Sequence, residues 1–423
     1  MAVIMESVVC TGCACLCDDL DVTLEGEQVV AVANVCRWGV NRFYNGKKFH
    51  PHKERRRLTN PQLRRQGRLV DVTYEEALGQ AAAILTQAQR PLIYGLTHLG
   101  CTAQEAALEL ARKLRARLEP PDLRLMVPYF QSLKKHGLFL APLDVIRDQA
   151  DAVIFWGANP LHSVPRHLVR YSAFARGRFT ERGLEDRRLA AVDIYRSELA
   201  ECCHLFVELN PGQELTLINQ VTAKLAGREE PGEANKGARQ LAELLSQASY
   251  AAIFCGRGVS YGPAGEILDR LGEMAARLNQ VKPLALLALS SDFNAAGLYH
   301  LFLRELGAVG APDFAAGSLS IQISPLNFTE VDAILVAGAD LWWLLPEADR
   351  QSLLRRRVPL ILISPFADRT SSLAEVILPV ALTGVETEDF AYRLDGLPLR
   401  LKKIRPSFSP PEHLVLNDLQ LFL

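Results

Sequence analysis

Asp151-Ala-Val-Ile-Phe-Trp-Gly-Ala-Asn159 is echoed by Asp332-Ala-Ile-Leu-Val-Ala-Gly-Ala-Asp340, 181 residues further along the chain. In each copy an acidic residue precedes an apolar run that ends on a glycine. Each copy then leads to a second apolar run, Leu189–Asp193 or Leu360–Ser364, and to a third, Leu205–Leu209 or Val376–Val380. Continuous apolar runs of this length read as strands buried on both faces, the mark of parallel sheets. Two copies of such a βαβ-like unit predict two α/β lobes, which bind ligands beyond the carboxyl ends of their strands. Gly157, Asn159, Asp193, Gly338 and Asp340 are expected at those ends. Ala251–Phe254, running into Cys255-Gly256-Arg257-Gly258, is a third strand-to-glycine turn. Glycine there permits close approach of a ligand, and equally serves a bare turn.

Outward from this repeat the pattern is plainer. Strands are expected at Leu20–Leu24, Gln28–Val32, Val70–Val72 and Pro91–Leu96, with a loop over the basic stretch Arg55–Arg65. Thr73 followed by Glu76 is a capping-box arrangement that opens a helix through Leu85. Ala103–Leu118 reads as an amphipathic helix. Four prolines and no clean period leave 119–142 without an assignment. The predicted organisation is a small Cys-rich domain over 1–58, a discontinuous α/β domain of 59–149 and 286–423, and an inserted Rossmann-like domain of 150–285.

Composition narrows the function. The 423 residues carry 47 Lys and Arg against 48 Asp and Glu, a net charge of −1. That balance lacks the clustered cations a nucleic-acid surface needs. No apolar run approaches the roughly 18 residues of a membrane span, and 1–9 carries no export signal, so a cytoplasmic location is expected. HExxH and P-loop motifs are absent from the sequence, which leaves HExxH-type hydrolase and P-loop ATPase chemistry unsupported. The charge runs Arg55–Arg57 and Arg355–Arg357 read as solvated faces.

Four of the nine cysteines fall within eight residues: Cys10, Cys13, Cys15 and Cys17. A disulfide framework suits small secreted domains, so the cluster points to metal. Cys10-x2-Cys13-x3-Cys17 with Cys36 provides four thiolates at spacings found around iron–sulfur clusters. A structural zinc site also begins with C-x2-C, and Cys15 is an alternative fourth ligand. Cys101, at a strand-to-helix junction, reads as a packed residue or a reactive thiol. Cys202 and Cys203 read as core.

Cys10 through Asp19 together with Cys36-Arg-Trp-Gly39 resembles the B subunit of formylmethanofuran dehydrogenases, members of the molybdenum/tungsten bis-pterin oxidoreductases. The resemblance continues through Arg57-Leu-Thr-Asn-Pro61, Arg64-Arg65, Val72-Thr-Tyr-Glu-Glu-Ala77, Ala152–Pro160, Pro165-Arg-His167, Arg170-Tyr171, Arg187–Asp193 and Pro211-Gly212. Near the end, Glu386, Tyr392-Arg393 and Asp395-Gly396 fit the same subunit. It implies a formate dehydrogenase-like α/β fold, here without the C-terminal β-barrel domain. It also implies a [4Fe-4S] cluster on Cys10, Cys13, Cys17 and Cys36, and a pterin pocket touching Gly157, Asn159, Arg166, His167, Arg170 and Asp193. These pocket residues have plain readings as well: Asn159 and Asp193 as helix caps, the arginines as solvated or partner-facing groups.

One departure decides the functional expectation. Redox-active members carry Cys-His-Gly or its selenocysteine form before a proline; here the aligned residues are Leu125-Met126-Val127, before Pro128. Leucine cannot ligate tungsten or molybdenum, and methionine cannot move a proton at neutral pH. The resemblance therefore implies a structural subunit with a vestigial pterin pocket and no catalytic residue of its own. It would belong to a formyltransferase/hydrolase complex that passes a formyl group from tetrahydromethanopterin to a methanofuran-type carrier and releases formate. Its partners would be a zinc-dependent, amidohydrolase-like A subunit, a C subunit and a formyltransferase D subunit. The alternatives are an active tungsten- or molybdenum-pterin dehydrogenase subunit, with Cys101 as its best candidate ligand, and a metal-binding scaffold of an unrelated assembly.

Overall fold

The computed structural model describes residues 2–44, 56–228 and 236–423; Arg55, the first of one basic run, lies outside them. The chain divides into two units, one of 1–123, 292–393 and 398–423, the other of 124–291 and 394–397. The first holds the whole Cys-rich segment. The second takes in 124–149, which the sequence pattern had placed in the neighbouring lobe.

In chain order, the first unit begins with β1 (Ala2–Val8), β2 (Leu20–Glu25) and β3 (Gln28–Val32), an antiparallel sheet. Helix α1 (Arg37–Phe43) follows, then the hairpin β4 (Gln62–Arg65) and β5 (Arg68–Asp71). β4 corrects the expected loop: it is a short polar strand, paired antiparallel to β5 and to a later strand, so no apolar run announces it. Helix α2 (Tyr74–Gln87) starts at Thr73, whose side chain accepts from the Glu76 amide at 3.2 Å. β6 (Pro91–Gly95) leads to α3 (Cys101–Leu114) and β7 (Arg117–Glu119). The helix expected to reach Leu118 stops at Leu114, because Arg115 turns left-handed at φ 54°.

The second unit opens with α4 (Leu123–His136), α5 (Leu143–Gln149), β8 (Ala152–Trp156), α6 (Pro160–Ser163) and α7 (His167–Arg170). Then come β9 (Arg188–Asp193), β10 (Leu205–Glu208), β11 (Ala251–Cys255) and β12 (Leu284–Ala288). These five strands form one parallel sheet in the order β10-β9-β8-β11-β12. The chain winds one way from β8 and the other way from β11, so the sheet has its switch point between those two strands.

The first unit's large sheet is completed by β13 (Ala311–Asp313), β14 (Ser320–Gln322), β15 (Ala333–Ala337), β16 (Leu360–Ser364) and β17 (Val376–Pro379). Its order is β14-β13-β7-β6-β15-β16-β17-β4-β5, parallel from β7 to β17 with antiparallel edges. Here the switch point lies between β6 and β15. β18 (Asp389–Tyr392) and β19 (Pro398–Leu401) pair as a hairpin, and the helix Glu412–Phe422 ends the chain.

The sequence repeat performs the same work twice. Asp151 accepts the amides of Ser249 (2.8 Å) and Tyr250 (3.1 Å), which feed β11. Asp332 accepts those of Gln89 (2.7 Å) and Arg90 (2.9 Å), which feed β6. In each sheet the aspartate before one central strand thus ties down the start of the strand across the switch point. These bonds give the amides that lead into each strand an acceptor, which explains the acidic residue at both positions. In the first unit Leu92, Tyr94, Ile334, Val336, Leu360, Leu362 and Ile377 form a core. A second cluster, Val9, Leu16, Phe293, Ala391 and Leu401, anchors the cysteine segment through the fully buried Leu16. Among the described residues no helix is long and apolar enough to cross a membrane.

Candidate functional site

The cysteine turn is built by backbone bonds before any side chain acts. The Cys10 amide donates to the Cys17 carbonyl at 2.8 Å, and the Leu16 amide to the Cys13 carbonyl at 3.1 Å. Leu16 turns left-handed at φ 38°. Two glycines let the sulfur-bearing segments meet. A Cβ on Gly12 would stand 3.0 Å from the Gly39 nitrogen, and one on Gly39 would stand 2.9 Å from Cys10 Sγ. Cys36, the N-cap of α1, arrives beside them. Burial raises the Cys10 thiol well above its ordinary pKa, followed by the neighbouring charges of Cys17 and Cys13; Cys36 adds to it. The four predicted ligands therefore stand in one electrostatic neighbourhood. Cys15, within the same turn, is fully buried.

These residues fit a four-thiolate set: each has a thiol to give, and the glycines keep side chains out of the space around Cys10. The set is gathered and not yet closed, since among the described residues no three His, Cys, Asp or Glu side chains are already spaced to hold a metal ion.

At the first unit's switch point the backbone is forced into close quarters. Gly95 has φ 107°, and a Cβ there would sit 2.4 Å from the Ala337 carbonyl oxygen. Gly338 has φ 63° and faces Leu99. The turn after β6 carries Thr97, whose hydroxyl donates to Asp292 at 2.7 Å, and His98, 3.4 Å from the same carboxylate. Cys101, the first residue of α3, receives the Asn294 amide at 3.6 Å. Burial, above all, pushes its thiol up to about 11. A thiol held protonated in this way is a poor nucleophile and a poor metal ligand at neutral pH.

The second unit shows the same device. Gly157 has φ 54°; a Cβ there would lie 2.8 Å from the Val259 nitrogen, and one on Gly256 would lie 2.4 Å from the Gly157 carbonyl oxygen. The Gly258 amide closes the contact on that oxygen at 2.8 Å. Backbone-to-backbone packing between the turns after β8 and β11 thus already demands these glycines. Asn159 caps α6 by accepting the Leu161 amide at 3.1 Å. Asp193 ends β9 half-buried, its carboxyl raised by that burial and eased by the Ile194 amide at 2.7 Å. An acidic side chain at the end of β9, the strand next to the one that flanks the switch point, suits a ribose hydroxyl.

The basic trio separates. Arg166 and Arg170 are half-buried, with the Arg170 guanidinium 4.9 Å from the Tyr171 ring centre. His167 is fully buried, edge-on to Phe254 at 4.4 Å, with Ser172 Oγ 3.0 Å from Nδ1. Burial lowers its pKa to about 3, so it stays neutral and does not offer a positive charge to a phosphate. Sequence position alone had grouped it with the arginines.

Leu125, Met126 and Val127 occupy the early part of α4, at 1%, 4% and 1% exposure. Pro128 sits inside that helix, which is why periodicity failed to find it. Cys202 and Cys203, expected in the core, are only partly buried. Arg356, within the second charge run, donates to the Phe328 carbonyl at 2.8 Å and is more than a solvated face. Sequence pattern gave no sign of Thr11, Arg42, Thr383 and Glu412, which meet beside the cysteine turn from distant parts of the chain.

A family model for molybdopterin oxidoreductases matches residues 57–411. The B subunit of tungsten-containing formylmethanofuran dehydrogenase 2 from Methanocaldococcus jannaschii is 30% identical over 426 residues, 97% of this chain and 95% of that one. Its counterpart in Methanococcus maripaludis is 27% identical over 416 residues, 95% of this chain and 94% of that one. Two solved structures share the fold. A chain of the formyltransferase/hydrolase complex FhcABCD from Methylorubrum extorquens, crystallised with methylofuran, has a TM-score of 0.68 at 18% identity, covering 85% of this chain and 97% of that one. Acetylene hydratase from Pelobacter acetylenicus has a TM-score of 0.68 at 12% identity, covering 99% of this chain and 69% of that one. A doubly wound sheet in each unit and a match along nearly the whole chain agree: the protein belongs to the molybdopterin oxidoreductases, among the B subunits of formylmethanofuran dehydrogenases.

Proposed function

We propose that the chain is the B subunit of a formyltransferase/hydrolase-type complex in tetrahydromethanopterin-linked one-carbon metabolism, and that it carries structure in place of redox turnover. One observation carries this reading. The positions that the resemblance sets against the family's metal ligand and acid–base histidine are Leu125 and Met126, and both are buried in α4. Neither side chain offers an oxygen, nitrogen or thiolate to bind tungsten or molybdenum or to shuttle a proton. The protein does not fit a ligated, redox-active metal at that position.

The cysteine set has a different standing. Cys10, Cys13, Cys17 and Cys36 would hold an iron–sulfur cluster, whose thiolate bonds supply folding free energy to the amino-terminal segment. Gly157, Asp193 and the arginines flanking His167 line what this reading treats as a vestigial pterin pocket. Formyl transfer and hydrolysis then fall to the partners the resemblance implies, an amidohydrolase-like A subunit, a C subunit and a formyltransferase D subunit; the M. extorquens neighbour belongs to an assembly named as a formyltransferase/hydrolase complex. The proposed setting is the cytoplasm.

A second reading, an active tungsten- or molybdenum-pterin dehydrogenase, is favoured by the relatives at 27% and 30% identity, both named as tungsten-containing. It needs a metal ligand outside 125–127, and the protonated Cys101 is poorly suited to be one. Assaying the purified complex with formate and a viologen dye separates the two. The structural reading expects formyl hydrolysis without dye reduction; sustained, formate-dependent dye reduction would refute it.

A further inference from the structure

Four residues that the family comparison leaves without a role converge on the cysteine turn. Thr11 lies between Cys10 and Cys13 and is 2% exposed. Its hydroxyl donates to the Thr383 carbonyl at 3.1 Å and accepts from Arg42 Nε at 2.8 Å. Arg42 Nη2 donates to the same carbonyl at 3.1 Å, and its guanidinium lies 5.5 Å from the centre of the Phe293 ring. Thr383 Oγ1 in turn donates to Glu412 Oε2 at 2.6 Å. Thr383 and Glu412 are themselves buried, at 0% and 4% exposure. Gly384, at φ 75°, leaves room for the Thr11 methyl: a Cβ there would meet it at 2.7 Å.

The connectivity gives the arrangement its meaning. Arg42 is on α1, the helix that Cys36 caps, whereas Thr11 is on the turn that presents Cys10 and Cys13. One guanidinium therefore bridges the two separate segments that carry the predicted ligands, and both segments hang on a single carbonyl, that of Thr383. The planar fork of arginine fixes two acceptors at a set separation, which a flexible ammonium does not. Glu412 completes the brace by holding the Thr383 side chain from the start of the carboxyl-terminal helix. Thiols whose segments are already held side by side bind a metal more tightly, because part of the cost of bringing them together has been met.

We propose that Thr11, Arg42, Thr383 and Glu412 are positioning residues that hold the Cys36 segment against the turn of Cys10 and Cys13, so that metal binding has only to close the thiol set. The inference rests on the reading of Cys10, Cys13, Cys17 and Cys36 as a metal-ligand set.

The test is an anaerobic titration of the chelator-stripped full chain with cobalt(II), read by the thiolate-to-cobalt charge-transfer band. The wild type shows the band. Thr11→Val keeps the shape and loses the hydroxyl, and is expected to weaken cobalt binding by about tenfold, the range typical of groups that orient metal ligands. Thr11→Ser restores it. Arg42→Lys keeps the charge but cannot bridge both acceptors; it is expected to weaken binding to a similar degree, and serves on its own if Thr11→Val does not fold. A far-UV spectrum matching the wild type, with the band weakened, supports the brace. Equal cobalt affinity in wild type and Arg42→Lys overturns it. Absence of the band in the wild type removes the four-cysteine reading itself, and the inference with it.

Discussion

Acidification should unlock the second unit through a single histidine. His167 is fully buried among Phe155, Phe254 and Tyr171, and Ser172 Oγ is 3.0 Å from its Nδ1. Its Nε2 is buried without a hydrogen-bond partner, so nothing there stabilises a second proton. Burial accordingly lowers its pKa from 6.5 to about 3. Below pH 6.5 the unfolded chain takes up a proton that the folded core refuses, so stability is fully present above 6.5 and is lost as pH falls toward 3. One pH unit is worth about 1.4 kcal/mol, which makes the loss about 2 kcal/mol at pH 5. The perturbation is His167→Phe, which keeps an aromatic ring and removes the titration. Urea unfolding of both proteins, followed by the emission of the neighbouring buried Trp156, gives the stability difference at pH 7.5 and pH 5. Any packing cost of the larger ring is the same at both pH values and cancels. The variant should gain about 2 kcal/mol relative to wild type on going to pH 5. An unchanged difference would refute the assignment of His167 as a buried neutral core residue.

Other consequences are as direct. Glu412 has the opposite sign: burial raises its carboxyl to about 7 from 4.5, so its stability contribution is present at acid pH and lost as pH rises through 7. Glu412→Gln, which still accepts from Thr383, should therefore gain up to roughly 3 kcal/mol relative to wild type between pH 4 and pH 8, measured by thermal unfolding. Glu386 joins Arg57 and Arg405 in a buried cluster that ties Pro365 and Val380 to the segment entering β4. Arg57→Met should cost about 2 kcal/mol in urea unfolding, because Glu386 keeps only Arg405 as its ion partner and the Pro365 and Val380 carbonyls lose a donor; a loss under about 1 kcal/mol would mark the pair as incidental. Gly95→Ala forces a Cβ against the Ala337 carbonyl at a φ that alanine avoids. It should lower stability by more than about 1 kcal/mol, whereas Gly79→Ala, with open space around it, should not.

The central strands were legible because parallel strands covered on both faces must be apolar throughout. β6, β8, β11, β15 and β16 all fall on such runs. The repeat also marked the strand ends, since Gly157 and Gly338 share a positive φ at equivalent places. What escaped were elements without that signature. β1 is exposed along most of its length, β4 is polar, and α4 carries Pro128 where a regular period would be sought. The site divides in the same way. Clustered cysteines announce themselves by type and spacing, and in the structure the charges of Cys17, Cys13 and Cys36 act on the buried Cys10 thiol. His167 misled because its neighbours Arg166 and Arg170 suggested a basic surface; burial, which decides its chemistry, is a property of the packed sheet. The Thr11–Arg42–Thr383–Glu412 brace joins positions up to several hundred residues apart, and no local pattern could have revealed it.

The most direct test of the central claim is the metal content of the anaerobically purified complex, counted for iron, zinc, tungsten and molybdenum per copy of this chain. About four irons and neither tungsten nor molybdenum are expected, a cluster held by Cys10, Cys13, Cys17 and Cys36 in a subunit without redox turnover. Stoichiometric tungsten or molybdenum would contradict this, and would return catalysis to this chain despite Leu125 and Met126.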